Sequence, residues 1–384
     1  MTLDFRYAAA LVAVLFGAIG CGGDDAPPAE LRAASYNAGL APGFVDFTEQ
    51  RAPVTTAALA EHELDVLCVQ EYFVPEHWEA LVSASSHRYA DTHDLEPIPD
   101  EPGDGDEEPA CDEEETDPLV ACIEENCPGA SPDELSDCAL NECEEEVDAL
   151  SGECLSCVAA NLGSTLEEIV QTCALGAGAY AYGGAFGIGI LSRAPMNETD
   201  SIVMNSHLTR RGVLYGLVSD DDFGDVHVFC THLSPVFSSV PFPGEGSWEQ
   251  EQRDQIDALL GFVDDKVGEG EQVMVIGDLN VGPEAGGYAA EQPEHYASFE
   301  AAGFLNPYLD QDDPGCTFCA TNLLVGGGAD HEESKIIDHI LLRGIDAAYS
   351  ADRFMTERIE VEVSGETVET EYSDHYGVVV DLLK

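Results

Sequence analysis

The chain has 384 residues, room for one large domain or two small ones, and a 44% hydrophobic content that can build a sizeable core. Lys plus Arg number 14 against 76 Asp plus Glu, a formal charge of −62. A surface of that sign repels polyanions and argues against a protein that tracks along nucleic acid, although a divalent cation in a cleft reverses the sign locally.

Residues 1–20 read as a secretory signal: Arg6 precedes the apolar run Ala8–Ile19, too short for a comfortable membrane span. Ala18-Ile19-Gly20-Cys21 resembles a bacterial lipobox, which makes Cys21 the lipidated N-terminus. The other reading is an ordinary secretory signal cleaved elsewhere. Residues 21–30 then form a flexible tether. The expected location is outside the cytoplasm, as a membrane-anchored lipoprotein of the cell envelope or a secreted protein, where disulfides are permitted.

The folded part opens with a strand, Leu31 to Tyr36, that leads to Asn37. Thr48 to His62 has apolar residues at roughly helical spacing. A second apolar run, Asp65 to Val69, ends in Gln70 and Glu71, where Glu71 is either a site residue or a surface acid opening a helix.

The stretch 93–180 is different material. No Lys or Arg occurs between Arg88 and Arg193, and Asp100 to Asp117 is almost wholly Asp, Glu, Pro and Gly, a solvated linker that does not match an EF-hand loop. Cys111, Cys122, Cys127, Cys138, Cys143 and Cys154 follow at steps of 11, 5, 11, 5 and 11, then Cys157 and Cys173. Eight cysteines suggest up to four disulfides, with 105 possible pairings. Leu119–Asn126, Pro132–Leu150 and Ser164–Ala174 have helical composition, with Pro132 at a helix start and Ser164 opening a Ser-x-x-Glu cap. The reading is an inserted cap of short helices stapled together. The rival, a zinc site, lacks any histidine among the cysteines.

Gly187 to Ile190 resumes the core. Ser201–Leu208 and Arg210–Val218 read as strands, and either Arg210 or Arg211 holds an anionic phosphate or merely ends a solvated strand. Val226 to Cys230 ends in Thr231 and His232. Phe237, Phe242 and Trp248 either pack under a Pro/Gly/Ser loop or touch a membrane or substrate, and Trp248 to Lys266 is an amphipathic helix. Val273 to Ile276 ends at Gly277-Asp278-Leu279-Asn280, a buried strand that delivers a carboxylate and a carboxamide into a turn. Tyr296 to Gly303 is a helix, Cys316 and Cys319 form a local disulfide, and Cys68 and Cys230 are buried thiols of core strands. Ile336-Ile337 leads into Asp338, and Ser373-Asp374-His375 precedes a last apolar run to Leu382.

Six strand ends with polar groups suggest one pocket at one edge of packed sheets. SYNAGL, DVLCVQE, VFCTHLSP, VIGDLN, IIDHILL and SDHYGVVV resemble, in order, the motifs of the endonuclease/exonuclease/phosphatase superfamily. GIGILSRAP resembles a weaker segment of it, and RGVLYGLV one carried by sphingomyelinases. The resemblance runs from about Arg32 to Leu383 with one large interruption. It implies an α/β fold, a four-layer sandwich of two mixed β-sheets flanked by helices, formed by residues 31–92 and 181–384 around the disulfide-rich helical insertion 93–180.

The resemblance also implies an enzyme, a metal-dependent phosphoric ester hydrolase. His375 is the general base and Asp338 orients it; Asp278 lies beside the attacking water. Asn280 and His232 donate to the phosphoryl oxygens, or His232 protonates the leaving oxygen. Glu71, with Asn37 and Asp374, holds Mg²⁺ (or Mn²⁺ or Ca²⁺), and Arg211 contacts substrate. Gly39 departs from the pattern, since many members carry an acid there. The acidic balance, the lipid anchor and RGVLYG lean toward a small or lipid phosphodiester, sphingomyelinase-like. A secreted endonuclease of the same family is the alternative, and a binding or adhesion module working through the Cys-rich insert is the alternative of another class. Partners are then the phosphodiester, lipid headgroup or nucleic acid, and a membrane reached through the anchor; no stable nucleic-acid partner is expected, and the chain is expected to be a monomer.

Overall fold

The computed structural model describes residues 30–98, 109–130, 132–174, 180–237, 242–243, 246–325 and 333–384. The expected signal segment, Cys21 and nearly all of the tether lie outside the described residues, as does much of the acidic linker.

Two sheets face each other. One has six strands in the order β10 (Ala348–Phe354), β13 (Gly377–Leu383), β1 (Glu30–Asn37), β2 (Val66–Gln70), β4 (Gly189–Ser192) and β3 (Asp91–Asp94). The other has five, β5 (Met196–Met204), β6 (Arg211–Asp220), β7 (Gly224–His232), β8 (Gln272–Asp278) and β9 (Asp338–Arg343). Both are mixed: β1–β2 and β7–β8 run parallel, the remaining pairs antiparallel. A separate hairpin pairs β11 (Arg358–Val363) with β12 (Glu366–Glu371).

Strand periodicity sorts the side chains into layers. Leu31, Ala33, Val66, Val378 and Val380 meet Val228, Met274, Ile276 and Ile340 between the sheets. The alternate residues Ala34, Tyr36, Leu67 and Val69 pack outward beneath α1 (Thr48–Glu61) and α2 (Pro75–Ser85). Val273, Val275 and Leu341 do the same beneath α8 (Trp248–Lys266) and α9 (Pro293–Ala301). The result is the expected four-layer sandwich. Burial on both faces is why the central runs read as continuously apolar.

Among the described residues the insert carries five helices, α3 (Glu113–Asn126), α4 (Pro132–Glu142), α5 (Glu144–Asp148), α6 (Gly152–Ala160) and α7 (Leu166–Ala174). Its cysteines pair as Cys111–Cys154, Cys122–Cys143, Cys127–Cys138 and Cys157–Cys173, around a small apolar cluster of their own. The capping residue of α7 is Thr165, not Ser164: its hydroxyl accepts from Glu168 N, and Glu168 Oε2 accepts from Thr165 N at 3.0 Å. Both register choices put an acid three residues on, so sequence alone did not separate them. Gly43 fixes where the insert sits. It has φ +81°, and a Cβ there would lie 2.6 Å from Gly163 N, so the two backbones touch only because residue 43 has no side chain.

Cys68 and Cys230 are not free thiols. They form a disulfide, Cα–Cα 5.6 Å, that ties β2 to β7 across the sandwich. Each occupies an inward position of its strand, which places them face to face, a relation between sheets that one strand's pattern does not carry. Cys316 and Cys319 form the expected local disulfide. Among the described residues no helix is long and apolar enough to cross a membrane.

The Cys68–Cys230 bridge spans 162 residues, so the Cys68→Ala/Cys230→Ala double variant should lose about 2–5 kcal/mol in denaturant unfolding. Unfolding midpoints that match the parent protein within error, or peptide mapping that recovers both thiols free, would remove the bridge from the account.

Candidate active site

Strand parity also places the polar residues. Cys230 and Met274 face the sheet interface, and counting on by twos brings His232 and Asp278 to the same face at the strand ends. Asn37 continues the inward face of β1, and Asp338 begins that of β9. The register aligns His232 with Asp278 and Asp278 with Asp338, so three polar groups form a row across β7, β8 and β9.

Past the strand ends the backbone turns sharply. Glu71 and Asn280 both have positive φ, 62° and 50°. Asn tolerates that region; Glu does not favour it, and its strain is held by the surrounding bonds. Asn280 N donates to Asp278 Oδ1 at 3.0 Å, and Asn280 Nδ2 donates to Leu233 O at 2.9 Å, which leaves one carboxamide hydrogen uncommitted.

Glu71, Arg211, His232, Asp278, Asn280, Asp374 and His375 line one cleft of about 210 Å³. Asn37 and Asp338 stand behind its wall. Asn37 Nδ2 donates to Glu71 Oε1 at 3.2 Å and to Asp278 Oδ2 at 3.0 Å, while its Oδ1 accepts from Gly39 N. Asp338 Oδ2 lies 2.9 Å from His375 Nδ1, and Asp338 N in turn donates to Thr317 Oγ1. With Nδ1 so engaged, His375 Nε2 is directed toward Asp278 Oδ2 at 3.8 Å. Ser373 Oγ bonds Asn37 O, Asp374 Oδ1 and His375 N, tying the end of β1 to the segment before β13.

The electrostatics follow from burial. Glu71 is pushed up by loss of water and by Asp374 close by, and Asp278 by loss of water and by Asp338. Burial opposes a charge on His375, but Asp338, Asp374 and Asp278 outweigh it and hold the ring well above its ordinary value. His232 goes the other way: burial, Arg211 and His375 keep it neutral, so its 3.4 Å approach to Asp278 Oδ2 is contact with an uncharged ring, not an ion pair.

Several buried atoms have no hydrogen-bond partner among the described residues. They include Glu71 Oε2, His232 Nδ1, and Nε and Nη1 of Arg211. Arg211 is 6% exposed, and its charge is opposed by burial and supported by Glu71 and Asp278. Arg210, which sequence did not distinguish from it, stacks on the Tyr180 ring at 3.5 Å and donates to Ile98 O. The fit to a metal can be tested here. Asp278, Asp338 and His375 bring ligand atoms within 4.8 Å of one another; there Asp338 Oδ2 is engaged by His375 Nδ1, while Asp338 Oδ1 is buried without a partner among the described residues. Glu71, with a free buried oxygen and Asp374 as a charged neighbour, is a second set of oxygens that suits a hard divalent cation.

Sequence reasoning missed three parts of the site. Arg51 is fully buried and donates to the carbonyls of Ala38, Gly39, Asp46 and Tyr372, bracing the loops under Glu71 and Asp374. His207 lines the cleft with Nδ1 on the buried Glu251 carboxylate. Phe44, Phe73 and Tyr182 form an aromatic rim with Phe237, the one member that the sequence marks as a candidate substrate contact. None of these lies in an apolar run that ends in polar residues, the pattern that exposed the others. Trp248 is buried beneath its loop with Phe237 and Phe242, the packing alternative for these aromatics.

A match to the Endonuclease/Exonuclease/phosphatase family spans residues 34–375. No curated protein sequence matches. Among solved structures, sphingomyelinase C from Streptomyces griseocarneus superposes with TM-score 0.56 at 18% identity, covering 92% of this chain and 99% of that one. A Staphylococcus aureus beta toxin variant with bound magnesium ions gives 0.54 at 14%, covering 92% and 99%. Truncated Caenorhabditis elegans TDP2 gives 0.50 at 14%, covering 92% and 98%. At these identities the likeness is one of fold; the family match covers most of the chain. The chain therefore belongs to the Endonuclease/Exonuclease/phosphatase family and is a phosphoric ester hydrolase.

Proposed function

We propose that the protein is a divalent-metal-dependent phosphodiesterase acting on a small or lipid phosphodiester. The observation that carries the reading is unmet charge of both signs in one cleft: Glu71 Oε2 and two guanidinium nitrogens of Arg211, Nε and Nη1, are buried without partners among the described residues. A bound cation together with a bound phosphoryl anion satisfies both.

Glu71 and Asp374 hold the cation, Mg²⁺ in the first instance, with Asn37 assisting from behind by fixing Glu71 Oε1. When bound, it offsets carboxylate charge and polarises the phosphoryl oxygens. The residues do the rest. His375 is raised by carboxylates whose effect a cation's charge would oppose, favouring the neutral ring. Fixed by Asp338, its Nε2 then accepts a proton from a water that Asp278 orients. The water oxygen forms a bond to phosphorus, and the bond to the ester oxygen breaks. Asn280 and Arg211 stabilise the phosphoryl oxygens, and His232, neutral, donates to them or to the departing oxygen.

Three features favour the small or lipid substrate. The cleft is narrow and rimmed by aromatics, the net charge of −62 opposes a nucleic-acid track, and sphingomyelinase C is among the proteins of like fold. Six disulfides agree with action outside the cytoplasm, as a monomer either anchored through Cys21 or secreted.

Turnover of bis-p-nitrophenyl phosphate, sphingomyelin and plasmid DNA with Mg²⁺ should show the first two as substrates. His375→Ala should lower kcat by about 10²–10⁴-fold with unfolding unchanged, and Asp338→Asn should lower kcat while leaving KM near the parent value. Nicking of DNA without turnover of sphingomyelin would give the site to a secreted nuclease. Failure on every substrate would leave the insert as a binding module. Separately, Mg²⁺ at about 100 times its Kd should stabilise the parent protein by about 2.7 kcal/mol. Glu71→Gln should abolish that shift, and a variant that kept it would move the cation away from Glu71.

A further inference from the structure

The insert does not close its own core. A second cavity of about 370 Å³ runs through it, lined almost wholly by apolar side chains. That volume lies within the range of small-molecule sites. Leu155, Leu162, Leu166 and Val170 are only half-buried along it, and Leu140 is 60% exposed. Four disulfides hold the helices apart around this space, so it is not a loosely collapsed cluster.

Its position decides what enters. Phe44 and Phe237 line both this cavity and the catalytic cleft, so the two adjoin at the aromatic rim. The Gly43–Gly163 contact, and packing of Ala159 and Ala160 near Leu208 and Trp248, fix the insert on that rim. A ligand whose phosphoryl group meets Arg211 and whose apolar part extends past Phe44 and Phe237 has an apolar cavity ahead of it. The described wall carries no Lys or Arg that could bind a second anion.

We propose that the helical insert is an acyl-chain site: it takes a hydrocarbon chain of a phospholipid whose headgroup phosphodiester lies in the catalytic cleft. The inference rests on the phosphodiesterase reading and names its substrate class as lipids bearing a long chain. Each buried methylene contributes about fourfold in affinity, so chain length is the sensitive variable.

The test uses the full chain and two groove variants. Leu140→Glu adds charge at an exposed wall position, where folding is not at stake, and Ala139→Trp fills the cavity without charge. A dansyl-labelled long-chain phosphodiester, below its micelle concentration, is titrated into the His375→Ala protein with and without each variant. In the active protein, hydrolysis of bis-p-nitrophenyl phosphate and of butanoyl and palmitoyl phosphodiesters is compared. The proposal expects palmitoyl kcat/KM at least tenfold above butanoyl, loss of that preference and of dansyl binding in both variants, and unchanged bis-p-nitrophenyl phosphate turnover. Equal rates on the two chain lengths, or variants that bind the probe as the parent does, overturn it. So does a dimer that Leu140→Glu dissociates, which would give the groove to a second copy. Absence of bis-p-nitrophenyl phosphate turnover in the parent protein would be the separate failure of the phosphodiesterase reading, and probe binding would still decide the groove.

Discussion

Four carboxylates, Glu71, Asp278, Asp338 and Asp374, meet at the buried ends of strands and in the turns that follow them. Such a cluster is costly to remove from water unless its members are paired, and the architecture supplies part of the pairing from different elements, leaving Glu71 Oε2 unmet among the described residues. Asn37 from β1 donates to two of them, His375 engages Asp338, and Arg51 and Arg211 add positive charge nearby. Neither sheet alone holds the set, so the two sheets must pack at one relative position for the carboxylates to be tolerated. The Cys68–Cys230 bridge between β2 and β7 fixes that position.

The strand ends were legible because of a sharp contrast: β-branched apolar runs that stop at Asp, Asn, Glu or His. The run at Val273–Ile276 has no polar interruption before Asp278, and strand β8 ends there. Sequence could not show parity between sheets. Cys68 and Cys230 looked like buried thiols because inward placement is visible one strand at a time, whereas facing requires the packing. Helix α6 and the hairpin β11–β12 were not anticipated, the first because Gly, Ser and Cys are poor helix formers, the second because its acids alternate with Val on a mostly exposed ribbon. Arg51 was unreadable for a different reason: a buried arginine is exceptional, and only the four carbonyls around it explain its place.

The charge of −62 and the task of binding an anion look opposed, but they act over different distances. Exposed acids are screened beyond about 8–10 Å at physiological salt, whereas Arg211 sits where water does not screen it. Long-range repulsion therefore slows the approach of extended polyanions more than that of a single phosphodiester. A strongly acidic surface and a buried site for one phosphoryl group are compatible in one chain.

Gly39 shows how a missing family acid is answered. A Cβ at this position would collide with Asp374 Oδ1 and lie 2.9 Å from Ser373 Oγ, and its φ of +55° favours glycine independently. The space beside Asn37 thus already holds a carboxylate, delivered from the segment before β13 and held by Ser373. An acidic side chain at 39 would have to displace Asp374 or share its volume, adding a like charge to a site that already strains to hold four. The glycine is consequently not a lost function at this turn. It is the condition under which Asp374 reaches the cleft, with Arg51 bonded to the Gly39 and Tyr372 carbonyls on either side of the junction.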